Sequence, residues 1–103
     1  MGWKVIIAPS AEADLREIVT YIAGHDEDAA VRVGNSLIAR TEVLAEFPEL
    51  GRVAPEFARP ELRELIYRSY RILYRIQPAQ AAIQIVRFWH AARGFPHIPP
   101  PSD

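Results

Sequence analysis

The 103-residue chain predicts an α+β fold of order β-α-α-β-β-β, a small antiparallel sheet with a helical hairpin packed on one face. Three observations lead there. Leu62–Tyr67, Tyr70–Gln77 and Ala82–His90 are rich in Ile, Val, Leu, Tyr, Phe and Trp, the side chains that suit a pleated, half-buried surface. Arg68-Ser69 and Pro78-Ala79-Gln80-Ala81 separate these runs by lengths that only tight turns can bridge. Upstream, two stretches repeat their apolar residues at helical rather than alternating spacing.

Taken in order, Trp3–Ala8 is a short β-type run and forms the first strand. Pro9 is tolerated at a first helical position and Ser10 is a candidate cap. Ala11, Leu15, Ile18, Val19 and Ile22 then fall on one helical face, with Glu12, Asp14, Arg16 and Glu17 elsewhere. The helix should stop near Gly24-His25, where glycine suits a left-handed cap. Asp26-Glu27-Asp28 places carboxylates where the dipole of a second helix favours them. Without a partner histidine, three adjacent acids argue only weakly for a metal. Ala30, Val33, Leu37, Thr41 and Leu44 carry the second helix towards Phe47, and Pro48 ends it.

Glu49–Pro60 has Gly51, Pro55 and Pro60 and no periodicity, so it reads as a loop. Along the middle strand of the following sheet, Tyr70, Ile72, Tyr74 and Ile76 share one face and Arg71, Leu73 and Arg75 the other. The last strand is less clear: Ile83/Ile85/Arg87/Trp89 and Gln84/Val86/Phe88/His90 are both mixed faces. Apolar residues left on an outer face suggest a partner surface. Four prolines between Gly94 and Asp103 exclude helix and central strand, leaving an extended, frayed tail. The expected organisation is a single domain over 1–93 and a Pro-rich C-terminal tail over 94–103.

Composition narrows the class. With no cysteine, neither a disulfide framework nor a thiolate metal site is open to the chain. No apolar run approaches the ~20 residues that span a bilayer, and MGWKVIIAPS lacks the pattern of a signal peptide. The expectation is a cytoplasmic protein with no membrane contact, no cofactor and no metal. The net charge of −1 hides an asymmetry. Residues 1–58 hold 5 basic and 10 acidic side chains, whereas residues 59–93 hold 7 arginines and 2 glutamates. Arginine forks onto carboxylates and phosphates and tolerates desolvated interfaces, so the basic strands are the candidate binding surface.

Four phrases occur in a telling order: APSAEADLREIVTYIA, FPELGR, LREL with YRILYRI, and IVRFWHAAR. Together they resemble the RelE/ParE superfamily, the toxin halves of bacterial type II toxin–antitoxin pairs, often called plasmid stabilisation proteins. The resemblance covers roughly residues 3–93 and implies the same β-α-α-β-β-β fold. It also implies a cognate antitoxin whose C-terminal segment wraps the toxin, and the basic strands lead us to expect its carboxylates on some of Arg63, Arg71, Arg75 and Arg87.

The family divides by target. RelE- and YoeB-like members cut messenger RNA on the ribosome; ParE-like members poison DNA gyrase by protein contact without hydrolysing nucleic acid. For the RNA-cutting branch the resemblance implies Arg71 on the scissile phosphate and His90 as general acid or base, a chemically sensible pair. Three features favour the ParE-like branch. His90-Ala91-Ala92-Arg93 resembles the H-x-x-R ending of ParE-type members, and no lysine follows Glu49. A pI near 6.3 is poor for docking on ribosomal RNA. The expected function is therefore a growth-arresting gyrase inhibitor, with Phe88, Trp89 and Arg93 as contact residues, and a ribosome-dependent endoribonuclease is the alternative.

Overall fold

The computed structural model describes residues 2–101. Its sheet is built on β5 (Ala82–His90), the only strand among the described residues with a neighbour of each direction. On one side β4 (Tyr70–Gln77) pairs antiparallel, followed by β3 (Leu62–Tyr67) and the two-residue β2 (Arg52–Val53). On the other side β1 (Lys4–Ile7) lies parallel, with Val5 opposite Ile83 and Ile7 opposite Ile85. The order is β1-β5-β4-β3-β2. The expected antiparallel sheet is thus mixed, because the chain between β1 and β5 is long enough for a crossover and parallel pairing needs one. β2 lies in the stretch read as loop; two residues show no periodicity.

Helices α1 (Pro9–Ala23) and α2 (Glu27–Glu42) follow β1 and pack on one face of the sheet. Pro9 opens α1 as expected, but Ser10 caps nothing: its hydroxyl donates to the Val86 carbonyl at 2.6 Å. Gly24 keeps right-handed geometry (φ −62°), so the left-handed cap is absent there. Asp26 caps α2 by accepting from the Ala29 N–H at 3.0 Å. A 3-10 turn over Val43–Ala45 carries the chain on towards Pro48. No helix among the described residues is long and apolar enough to cross a membrane.

Two cores result, one on each face. The larger joins Ala11, Leu37 and Leu44 of the helical layer to Ile72, Tyr74, Ile83, Ile85 and Phe88. The smaller unites Ala54, Leu73, Val86 and Trp89 under Phe57 and Ile98. The last strand serves both because it is bulged: Leu73 faces Arg87 while Tyr74 faces Ile85, so Val86 is the extra residue. Alternation before and after the bulge is out of step. Ile83, Ile85 and Phe88 therefore share the helical face, and neither face proposed from strict alternation exists as such.

The tail is extended, as its prolines require, but it is docked rather than frayed. Pro96 is fully buried and Ile98 packs on the smaller core, so residues 94–101 cover the sheet face left open by the helices. Positions 102 and 103 lie outside the described residues.

Tyr74 ties the loop after the helices to the sheet. Its hydroxyl donates to the Pro48 carbonyl at 2.8 Å and accepts from the Gly51 N–H at 2.9 Å. Gly51 has no room for a side chain: a Cβ would stand 2.5 Å from the Glu64 carbonyl oxygen. Tyr74→Phe strands a buried N–H and should cost about 1–3 kcal/mol, read as a lower urea midpoint at unchanged slope. Gly51→Ala should cost at least as much, because the obstructing atoms are backbone.

Candidate functional site

Each face of the sheet carries its own set of polar residues. On the tail side, Arg71 stands in a cage of acids. Its two terminal nitrogens reach the two oxygens of Glu56 at 2.6 Å, and its Nε reaches Glu64 at 2.6 Å. The Glu64 side chain is wholly buried and also accepts from Arg52 Nε at 2.6 Å. Hydrogen bonding to Glu56 raises the Arg71 pKa further above its ordinary value. Arg71 is held as a cation with little of its side chain exposed.

The other arginines of this face are also engaged. Arg75 is buried, donating to Gln84 Oε1 and to the Pro99 carbonyl, each at 2.9 Å. Desolvation lowers its pKa. Arg87 grips both oxygens of Asp14 at 2.7 Å and donates to the His97 carbonyl at 2.9 Å. On the helical face instead, opposite Tyr74, Arg63 donates to the Gly51 carbonyl at 2.7 Å, and its buried Nε has no partner. Trp89 lies beneath two guanidiniums, Arg87 at 4.7 Å and Arg93 at 4.1 Å from its ring centroid, and its Nε1–H donates to the Gly94 carbonyl. Only Arg93 of this set is exposed at the surface.

His90 belongs to the opposite face. It lies across from Tyr70 in the β4–β5 ladder and meets that ring edge-on at 5.3 Å. Both border a cleft of about 410 Å³ against α1, with Glu17, Ile18, Tyr21 and Arg93. His90 Nδ1 accepts from the Ala92 N–H at 3.1 Å. That bond assigns the neutral ring to the Nε2–H tautomer, so the outward nitrogen is a donor. Arg71 pairs instead with Trp89, on the tail side. The two residues proposed as a catalytic pair are thus separated by the thickness of the sheet.

Phe88 is a core side chain, 1% exposed, and Trp89 is 6% exposed. Sequence reading missed Asp14, Glu56 and Glu64, the acids that hold the arginines. Asp14, expected off the apolar face, lies on it: three residues after Ala11 and four before Ile18, its spacing was the signal, since an acid on that stripe implies a buried partner. It accepts from the Phe88 N–H as well as from Arg87. Among the described residues, no group of three or more His, Asp and Glu is placed to hold a metal ion.

With this geometry established, comparison with known proteins identifies the family. Residues 5–95 match the model of the ParE toxin of type II toxin–antitoxin systems, parDE. The chain belongs to the ParE toxin family. Two curated relatives, both from Caulobacter vibrioides, bear the other superfamily name. Toxin RelE2 is 40% identical over 91 residues, 87% of this chain and 97% of that protein. Toxin RelE1 is 27% identical over 90 residues, 87% of this chain and 95% of that protein. Among solved structures, a chain of the chromosomal ParDE system of P. aeruginosa superposes with a TM-score of 0.71 at 20% identity, over 85% of this chain and 95% of that one. A chain of the toxin–antitoxin complex RelBE2 of Mycobacterium tuberculosis superposes at 0.67 and 18% identity, over 87% and 99% of the two chains. These likenesses show the fold. The ParE family protein is accordingly a toxin of the type II toxin–antitoxin class, within the RelE/ParE superfamily.

The acid cage makes stability depend on pH. Its hydrogen bond with Arg71 holds the Glu56 carboxyl below its ordinary value near 4.5. A depressed folded-state value means the contribution is present above the ordinary glutamate range and lost as pH falls through the folded value. Urea midpoints should therefore drop as pH falls below about 4.3. The drop should be shallower in Glu56→Gln, whose midpoint at neutral pH should already be lower.

Proposed function

We propose that this toxin arrests growth by inhibiting DNA gyrase through protein–protein contact, and that its antitoxin relieves the inhibition. The observation that carries the reading is the placement of Arg71 and His90 on opposite faces of the sheet. RNA cleavage through a 2′-hydroxyl needs the cation at the phosphate and the proton-transfer group to converge on one reacting centre. Here Arg71 already holds two carboxylates, and the outward His90 nitrogen is a donor with no lone pair to offer as a base.

In this reading Arg71, Arg75 and Arg87 hold the tail-side face together and Arg63 anchors the Gly51 loop, while contact falls to Arg93 and the cleft beside it. Phe88 and Trp89 contribute from beneath, Trp89 as the platform for Arg93. Arginine over tryptophan is a recurrent composition of interface hot spots. Ribosome-dependent cleavage of messenger RNA is the second reading, supported by the RelE names of the two Caulobacter relatives. It requires Arg71 to leave Glu56 and Glu64 on binding RNA.

The two readings part on two substitutions expressed in cells. His90→Gln should stay toxic, whereas Arg93→Ala should lose about 2 kcal/mol or more of target binding and with it growth arrest. Transcripts should remain intact while a DNA-damage response appears. Cut transcripts from the parent protein, with toxicity abolished by His90→Gln, would move the protein to the endoribonuclease branch.

A further inference from the structure

A second group of arginines lies outside this site, where the turn between β3 and β4 meets α2. We infer that it is an anion site that takes the carboxylates of an acidic segment on a partner protein. Tyr67 closes β3, and two guanidiniums lie over its ring: Arg40 of α2 at 5.0 Å and Arg68 of the turn at 5.6 Å. Beside them Arg32, Asn35, Ser36, Tyr67 and Arg68 line a cleft of about 410 Å³ that contains no carboxylate. Among the described residues none of Arg32, Arg40 and Arg68 forms an ion pair. This sets them apart from Arg52, Arg71 and Arg87, which are each matched by an acid. Arg68 shares the Tyr67 ring with Arg40 and the cleft with Arg32, and neighbouring cations without a counter-charge repel one another, a repulsion that a ligand anion relieves.

The backbone supplies an independent observation. Arg68 adopts φ 54°, in the left-handed region, in a two-residue hairpin turn where glycine or asparagine is the undemanding choice. The chain instead places there the residue that reaches Tyr67 and lines the cleft. The Tyr67 phenol is also held below its ordinary pKa, first by its hydrogen bond with Ser36 and then by Arg68 and Arg40.

The donors select the class of ligand. Guanidinium forks, a serine hydroxyl and an asparagine amide match carboxylate oxygens. Single-stranded nucleic acid would want an open aromatic face for base stacking and a basic track for successive phosphates. Both guanidiniums already lie on Tyr67, and Arg71, Arg75 and Arg87 are engaged within the fold on the tail side, so no such track leads away. The inference does not depend on which cellular target the toxin attacks.

The test titrates the full, isotope-labelled chain with a hexaglutamate peptide at physiological ionic strength and follows the arginine Nε–H signals by NMR. Inorganic phosphate and oligothymidylate serve as parallel probes. Hexaglutamate should move the Arg32, Arg40 and Arg68 signals, and Arg32→Gln should weaken binding about tenfold. Arg68→Gly should weaken binding comparably while raising the melting temperature, since it relieves the strained turn. Signals of these three residues that stay still would overturn the inference. So would an Arg68→Gly variant that binds as well as the parent, or oligothymidylate or phosphate moving the same signals more strongly than the peptide.

Discussion

The extra residue in β5 is the constraint on which the two faces of this molecule depend. By letting two residues of β5 oppose one step of β4, Val86 reverses the alternation of everything after it. Phe88 then completes the helical core and Trp89 the smaller one. Beyond Ile85 the strand has no β1 partner, and the start of α1 takes over that edge. Ser10 donates to the Val86 carbonyl, and Asp14 accepts from the Phe88 N–H while holding Arg87. A backbone kink that would otherwise leave buried polar groups unmet is thereby satisfied by side chains. The Asp14–Arg87 pair is costly to break, since removing one partner strands a buried charge.

From this arrangement follows the fate of the basic segment. Seven arginines between residues 59 and 93 look like a binding surface when counted along the chain. In three dimensions Glu56, Glu64 and Asp14 neutralise two of them, and the docked tail supplies carbonyls to Arg75 and Arg87. Prolines suit such a strap because they cannot donate, they hold an extended course, and their carbonyls remain free to accept. The face that composition marks for a ligand is largely occupied from within, and Arg32, Arg40 and Arg68, which form no ion pair among the described residues, lie elsewhere.

What was legible in the sequence was what local pattern encodes. The three main strands are bounded where turn residues and β-rich runs place them, and the helical stripe of α1 and the acids that open α2 follow from spacing and chemistry. Parallel pairing of β1, the brief β2 and the docking of the tail are long-range choices that no window of neighbouring residues contains. The bulge hid in plain view: the mixed faces of β5 were its signature, because strict alternation fails on both sides of an inserted residue. Alternation along β4 gave the face of Arg71, but the faces of Phe88, Trp89 and His90 depended on that insertion. The resemblance paired Arg71 with His90, and only the register separates them.

The claim that the protein acts by contact rather than by cleaving RNA is tested most directly with purified gyrase. Supercoiling of relaxed plasmid should be inhibited by the toxin, and the inhibition should be lifted by stoichiometric antitoxin. Messenger RNA on translating ribosomes should stay whole at the same toxin concentration. Uninhibited supercoiling together with cleavage of ribosome-bound message would contradict it.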